Sequence, residues 1–360
     1  MVRAGVALGA MLVLGGCGAS ASSGGSGGSS GSGQSANAAS DSGSYTAVNL
    51  RLQSEIPAGG ELGPYLQQWA DLVKSSSGGK ITITIYPQGA LYQSTTVTPA
   101  VAAGEMDMTF VDVYSAAATV PALLALNFPM PGLSGQKSYA VNSPGTAYFN
   151  DLSQQAATKQ LQLLPGIWTS GSGAFLTAHS ISSIGQVRGM KIRTIGTEIN
   201  DIVQALGASP ISMSSTDVTS ALTTGAVNGS FGTTGVFNGA WKGLGKTEVS
   251  LDDYLQSNYV FLMGSGRWQG LSAADQKLLE STLATVGQKF AAAANGLETT
   301  GENQFAAASG QNVIKLSGQY LTTVNNGVLP LYNSYQKQFP SIYNDFVTAV
   351  KAQGLTPLSQ

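Results

Sequence analysis

The sequence is short of charge, histidine and cysteine, and each shortage excludes a class of function. Charged residues are only 10% of the chain, and its 17 lysine and arginine residues nearly balance its 19 aspartate and glutamate residues. We therefore expect no basic surface for binding nucleic acid. With His179 and Cys17 as the only residues of their types, a zinc site of nitrogen and sulfur ligands cannot be assembled. We expect neither a metal nor a cofactor.

Catalytic motifs are equally scarce. A Ser-His-Asp hydrolase would have to use His179, yet the Gly-x-Ser-x-Gly turn that presents such a serine occurs only in the low-complexity segment 18–44. The glycine-rich segment 264–270 has glutamine where a dinucleotide fingerprint needs its third glycine. We interpret His179 as a loop or rim residue and segment 264–270 as a turn, and we expect no enzyme.

The first residues have the pattern of an export signal. Arg3 is followed by an apolar run over 4–14 and by Leu14-Gly15-Gly16-Cys17. The run is shorter than the roughly 20 residues needed to span a bilayer, as is typical of a removable signal. Leu-Gly-Gly-Cys resembles the bacterial lipobox, which implies a lipoprotein signal peptide at 1–16 and a lipid on Cys17.

After Cys17 the chain is almost entirely glycine, serine and alanine up to Ser44, with Asp41 as the only charge. Such a composition buries too little apolar surface to offset the entropy lost on ordering. We therefore predict that residues 17–44 are a lipidated, disordered tether, with a reach of roughly 30 Å.

Strand and helix patterns alternate from residue 45 onward. Apolar alternation predicts strands at 48–53, 81–86 and 106–111, and spacing of three and four predicts helices at 62–73 and 98–103. This order favours an α/β fold with a parallel sheet covered by helices. Ligands bind such sheets at the carboxyl ends of their strands, and Asp112 lies just past one of those ends.

The pattern continues through the second half of the chain. It predicts short strands at 162–165 and 190–194 and helices at 197–206 and 217–224. The longest helix is predicted to begin at Ser272, where Asp275 completes a variant of the capping box. Because its helical composition persists past Ala294, we expect this helix to contact both halves of the molecule.

Several segments, taken in order, carry a family resemblance. They are Gly79-Lys80-Ile81-Thr82-Ile83-Thr84-Ile85-Tyr86-Pro87-Gln88-Gly89-Ala90-Leu91, Ala103-Gly104-Glu105-Met106-Asp107-Met108, Val187-Arg188-Gly189-Met190-Lys191-Ile192-Arg193, Ala205–Pro210, and Ala221–Gly229. This series resembles the DctP-type solute-binding proteins of TRAP transporters, and the resemblance covers nearly the whole chain after the predicted tether.

The resemblance implies a two-lobe α/β fold of the periplasmic-binding-protein kind, with a long helix bracing both lobes. The first lobe would comprise 45–170 plus about 258–297, and the second 171–257 plus about 298–360. It also implies a ligand held between the lobes without chemical change. The loaded protein would dock on two membrane subunits, outside the cytoplasm, in the periplasm or at the outer face of the cell membrane.

Arg193 is the central candidate for binding the ligand. The resemblance implies that the arginine of Lys191-Ile192-Arg193 takes a ligand carboxylate, and the planar guanidinium matches both carboxylate oxygens. Its position near the end of a short strand suits the same role.

Departures from the family pattern narrow the range of expected ligands. Gly173 stands where many family members carry a second arginine in the cleft. Gly232 stands where an asparagine often helps to bind the carboxylate, and Asn228 stands where an aspartate is usual. We therefore expect a monocarboxylate with an uncharged tail, aromatic or branched. Candidates for the wall around that tail, which the alignment places near strand ends, are Trp168, Phe175, Tyr114 and Phe231.

Three alternatives stay open on the sequence alone. A neutral ligand could be held by hydrogen bonds while Arg193 has a structural role. The chain could instead be a surface-tethered hydrolase, or an adhesive lipoprotein, although its ordered strands and helices exceed what a spacer needs.

Overall fold

The computed structural model describes residues 45–294 and 296–358. The predicted signal peptide, Cys17 and the predicted tether lie outside these residues. Within the described ranges the chain forms ten strands: β1 (Val48–Ser54), β2 (Ile81–Tyr86), β3 (Met108–Asp112), β4 (Leu161–Thr177), β5 (Lys191–Thr194), β6 (Ser209–Ser212), β7 (Gly229–Thr233), β8 (Thr247–Ser250), β9 (Gln256–Gly264) and β10 (Asn312–Lys315).

Helices connect and cover these strands. The described part of the chain has thirteen α-helices: α1 (Gly63–Ser76), α2 (Ser94–Ala102), α3 (Val113–Ala117), α4 (Gly135–Val141), α5 (Ala147–Ala157), α6 (Thr197–Ala205), α7 (Val218–Thr223), α8 (Thr234–Asn238), α9 (Ser265–Gln269), α10 (Ala273–Ala294), α11 (Leu297–Ala307), α12 (Gly318–Gln338) and α13 (Pro340–Ala352). No helix in these residues is both long and apolar enough to cross a membrane.

The strands form two sheets that share β4. The first sheet has the order β2-β1-β3-β9-β4, and the second joins β4 to β7, β5 and β6, with β8 and β10 alongside. Residues 161–172 of β4 pair with β9, whereas residues 173–177 pair with β7 and β8. Strands β1, β2 and β3 are parallel to one another, as are β5, β6 and β7. The predicted α/β class is confirmed.

Apolar faces of the helices bury both sheets. Against the first sheet, α1 and α10 contribute Leu66, Trp69, Leu279 and Leu283 to one core, and all four are at most 1% exposed. A second core at the other sheet joins α7, α8 and α11 through residues such as Leu222, Phe237 and Phe305.

One helix and one strand extend beyond the bounds predicted from the sequence. Helix α2 begins at Ser94, so Pro99 lies inside it and not in its first turn; the serine and threonines that open this helix are weak helix formers and concealed its start. The predicted strand at 162–165 is only the beginning of the 17-residue β4. Its continuation passes through Ser170-Gly171-Ser172-Gly173, a composition that predicts a loop.

The longest predicted helix is interrupted. Ser272 and Asp275 exchange backbone-to-side-chain hydrogen bonds of 3.1 Å each, which confirms the capping box. Near residue 295, however, α10 gives way to α11, and Gly296 takes a left-handed conformation with φ of 86°. Two consecutive helices therefore stand where one was predicted. Helix α10 packs on α1 and β4, and α11 packs on α8 and β10.

The two C-terminal helices fasten distant parts of the chain together. From α12, the Tyr332 and Tyr335 hydroxyls donate hydrogen bonds of 2.6 Å to the carbonyls of Pro129 and Ala122. The same helix packs against α6, and α13 packs against α4 and α5. Residues 318–352 thus contact both predicted lobes, and the predicted lobe boundaries stay a prediction.

Candidate functional site

A cavity of about 410 Å³ lies where strand ends of the first sheet face strand ends of the second. The first sheet contributes the residues after β1 and β3 together with part of β9, and the second contributes the ends of β5 and β7 with the loop after α8. Its walls are formed by Glu55, Ile56, Pro57, Gln88, Asp112, Tyr114, Arg193, Ile195, Ser215, Thr216, Thr219, Phe231, Gly232, Thr233, Val236, Ala240, Trp241, Ser257 and Tyr259. The carboxyl ends of parallel strands therefore line it, as expected for such sheets.

Arg193 is held rigidly in this cavity. Its Nε donates to the carbonyl of Met213 at 3.0 Å and its Nη1 to the carbonyl of Phe231 at 3.1 Å. Nη2 is buried and has no hydrogen-bond partner, and the residue is only 3% exposed. The backbone thus fixes the plane of the guanidinium and leaves one buried donor for a bound molecule.

The charge on Arg193 is poorly compensated. Burial lowers the pKa of the guanidinium, whereas the nearby charges of Asp112 and Glu55 act in the opposite direction. Among the described residues, no carboxylate oxygen lies within 4.0 Å of the Arg193 guanidinium, so Arg193 forms no ion pair. Because arginine stays protonated in proteins, an anion in the cavity would find a desolvated positive charge.

Two carboxyl groups lie in the same cavity. Asp112 is 4% exposed; its Oδ1 accepts from the Ser115 backbone N–H at 2.9 Å, while its Oδ2 is buried without a partner. Glu55 accepts from the backbone N–H of Asp112 at 3.2 Å. Burial and the neighbouring charge of Asp112 raise the pKa of Glu55 well above its ordinary value, and burial raises the pKa of Asp112 too.

Aromatic rings form the apolar wall. Tyr114 meets Phe231 edge-on with ring centroids 5.8 Å apart. Trp241 stacks on Phe237 at 5.9 Å, and the Arg193 guanidinium carbon lies 6.0 Å from its ring centroid. This distance allows a cation–π contact and places the indole beside the charged end of the cavity.

Glycines 173 and 232 are surrounded by these rings. A Cβ at Gly173 would lie 2.8 Å from Phe231 and 2.9 Å from Leu255, and one at Gly232 would lie 2.7 Å from Trp241. Neither position has room for a side chain while the rings stay in place. Neighbouring side chains, chiefly aromatic, thus fill the space that a side chain at either position would occupy.

Of the five residues that the sequence predicts for the binding site, the structure places three in the cavity wall and two outside it. Arg193, Tyr114 and Phe231 line the cavity. Trp168 does not, because it lies fully buried among Phe110, Phe261 and Phe290 in the core of the first sheet.

Phe175 also stays outside the cavity walls. It packs edge-on behind Phe231, at 5.7 Å between centroids. Alignment does not show on which face of a strand a ring lies. It therefore could not distinguish the rings that line the cavity from Trp168 and Phe175, which lie in the core. Contact of these residues with the ligand stays a prediction.

Sequence reasoning noted Asp112 at a strand end but did not name it for the site, and it missed Glu55 and Trp241. Glu55 follows β1 directly and Asp112 ends the neighbouring parallel strand β3. Two acids at adjacent parallel strand ends form a signal that could have found them, since such ends meet at one edge of a sheet.

A second cavity, of about 520 Å³, is larger but less suited to an anion. Residues of α4, α8, α10 and α11 line it, together with the middle of β4. The charged side chains on the described part of its wall are Glu61 and Glu298, both acidic. We therefore take the cavity that contains Arg193 as the candidate site.

Comparison with known proteins places the chain in a family. The model of the family DctP, described as bacterial extracellular solute-binding protein, family 7, matches residues 54–338. The chain belongs to this family. The resemblance to the DctP-type solute-binding proteins of TRAP transporters is confirmed, and the family is extracytoplasmic and serves transport.

Individual DctP-type relatives are distant in sequence and close in fold. The sialic acid-binding periplasmic protein SiaP of Vibrio cholerae is 21% identical over 223 residues, which is 61% of this chain and 68% of the relative. A TRAP periplasmic solute-binding protein of Ralstonia eutropha H16, solved with (S)-2-acetolactate, is 22% identical with a TM-score of 0.73, over 85% of this chain and 98% of that one.

A third relative is an extracytoplasmic solute receptor of Bordetella pertussis that binds pyroglutamic acid. It is 16% identical with a TM-score of 0.75, over 84% of this chain and 99% of that one. These solved structures confirm the two-lobe fold.

Proposed function

We propose that this DctP-type protein captures a small organic monocarboxylate in the cavity around Arg193 and delivers it unchanged to the membrane subunits of a TRAP transporter. The observation that carries the proposal is the buried, unpartnered Nη2 of Arg193 in a cavity at the strand ends. A carboxylate oxygen is the acceptor that completes such a guanidinium. The relatives named above have an acid as ligand in each case, which supports the same class here.

Replacing Arg193 tests the carboxylate. Arg193→Ala should weaken binding of a carboxylate ligand by about 2–5 kcal/mol, the usual cost of removing one partner of a buried charge pair, or roughly thirtyfold to several-thousandfold. Arg193→Lys should recover only part of the loss, since an ammonium lacks the planar fork. Titration calorimetry against a library of small acids and their amides measures both effects.

A matched control separates the site from a general loss of positive charge. Arg267 pairs with Asp107 at 3.4 Å outside the cavity, so Arg267→Ala should bind like the wild type. If amides bind as well as acids, or if Arg193→Ala binds within about threefold of the wild type, the ligand is neutral and Arg193 is structural.

The proposal includes attachment to a membrane through a lipid on Cys17, supported by the lipobox-like sequence. Cys17→Ser should move the protein from the detergent phase to the aqueous phase in a partition experiment, and it should leave the melting temperature of the folded part unchanged. Aqueous partitioning of the wild type itself would rule out the lipid.

A further inference from the structure

The cavity holds two buried atoms of opposite charge that lack partners. Arg193 Nη2 has no acceptor and Asp112 Oδ2 has no donor, although the two residues are only 3% and 4% exposed. Both residues line the same space. Leaving a polar group buried without a full set of hydrogen bonds is costly, so a bound molecule that brings an acceptor to Arg193 and a donor to Asp112 would be favoured.

The two groups do not satisfy each other. Arg193 projects from β5 of the second sheet and Asp112 from the end of β3 in the first, and among the described residues they form no ion pair. Backbone contacts hold each in place, Arg193 by the carbonyls of Met213 and Phe231 and Asp112 by the N–H of Ser115. A molecule between the sheets can reach both.

Glu55 makes the Asp112 side of the cavity an acceptor for positive charge. Its carboxyl accepts from the Asp112 backbone N–H, and both residues line the cavity wall. A simple carboxylate ligand would gain the guanidinium but would leave the buried Asp112 Oδ2 without a donor, which costs free energy. A cationic group at the other end of the ligand would remove that penalty and fill the vacant acceptor.

We propose that the ligand is a small amino acid or close analogue, whose carboxylate binds Arg193 and whose protonated amine donates to Asp112 Oδ2, with Glu55 as the second acceptor. This deepens the function proposed above and rests on it. Arg193 selects the acid, and the pair of carboxyl groups selects, among acids, those that carry an amine.

Matched probes test this selection. Each set contains an aminoalkanoic acid with the amine at the α, β or γ position, the hydroxy acid in which oxygen replaces the amine, and the acid without either. We expect the amine-bearing member of the best set to bind at least about tenfold more tightly than its partners, since a hydrogen bond between charged groups is lost in each. Calorimetry on the full folded chain gives the affinities.

Two isosteric variants assign the effect to the acids. Asp112→Asn keeps an oxygen for the Ser115 N–H but cannot carry a negative charge, so the preference for the amine should fall to about threefold or less, and the unsubstituted acid should bind at least as tightly as it does to the wild type. Glu55→Gln should reduce the preference in the same direction, and it carries the test if Asp112→Asn does not fold. Glu248→Gln is the control, because Glu248 is fully buried yet outside the cavity wall, and it should keep the wild-type preference.

The outcomes distinguish this inference from the proposed function. If acids without an amine bind as tightly as their amine-bearing partners, or if no member of any set shows a preference, the amine is not recognised and the inference is wrong. Loss of binding in Arg193→Ala would then still support capture of a carboxylate. If Arg193→Ala binds all members like the wild type, the proposed function fails with it.

Discussion

Glu248, on β8, is a carboxyl group with no exposed surface. The Thr234 hydroxyl donates to its Oε1, and its Oε2 has no partner. Burial raises the pKa of Glu248 to about 7. The folded protein therefore favours the protonated form of this side chain more strongly than the unfolded chain does.

This raised pKa predicts a pH dependence of stability. The contribution of Glu248 should be fully present below the ordinary value of 4.5 and should be lost as the pH rises through about 7. The free energy of unfolding should fall by about 3 kcal/mol over that interval from this group alone. Glu248→Gln should flatten the slope, as measured by denaturant unfolding between pH 5 and pH 8.

The control for Glu248 is an exposed acid on the surface of α1. Asp71→Asn also removes one carboxylate but should keep the wild-type slope, because the Asp71 side chain is solvated. A slope that Glu248→Gln leaves unchanged would show that this group titrates alike in the folded and unfolded chain.

At the residue scale, the sequence predicts one end of the candidate site better than the other. Arg193 is recognisable because it lies inside a segment that resembles a family motif. Glu55, Asp112 and Trp241 lie in no such segment, and they come together only because β1, β3 and the loop after α8 meet in space. Trp241 is coupled to Gly232, whose missing side chain leaves room for the indole; a single sequence shows the glycine but not the ring that replaces it.

At the element scale, the sequence pattern predicts those strands and helices whose bounds are set by local apolar periodicity. β1, β2, α1, α6 and α7 show clear periodicity, and the structure has them within three residues of the predicted bounds. β9 carries no alternation, because all nine of its residues are buried between β3 and β4. In α12, Gly327 and Pro330 conceal the buried stripe; a Cβ at Gly327 would lie 2.5 Å from Ala205 of α6, so glycine there permits close packing of the two helices.

The cap of α10 offers a prediction at this scale. Ser272→Ala removes the hydroxyl that accepts from the Asp275 N–H, and it should lower the free energy of unfolding by about 1 kcal/mol. The matched control is Ser281→Ala on the exposed face of the same helix, which should be neutral or slightly stabilising because alanine is the better helix former. If the two substitutions change the free energy of unfolding equally, as measured by denaturant unfolding, the Ser272 cap does not stabilise the helix.

At the scale of the whole molecule, a cavity between two sheets predicts motion on binding. Ligand contacts to Arg193 and to the strand ends of the first sheet should draw the sheets together, and binding to the folded state alone should raise the melting temperature by mass action. Small-angle scattering with and without a bound acid measures the first effect as a smaller radius of gyration. An unchanged radius at saturation would mean that the cavity fills without closure.

The order of the strands in space differs from the order in which the chain is made. β9 lies between β3 and β4 in the first sheet, yet it is encoded after β7 and β8 of the second. During synthesis the first sheet therefore lacks its inner strand until residue 264 has emerged, and the second lacks β10 until residue 315. Neither sheet can be completed as an independent N-terminal unit, so productive folding has to wait for most of the chain, whichever side of the membrane it takes place on.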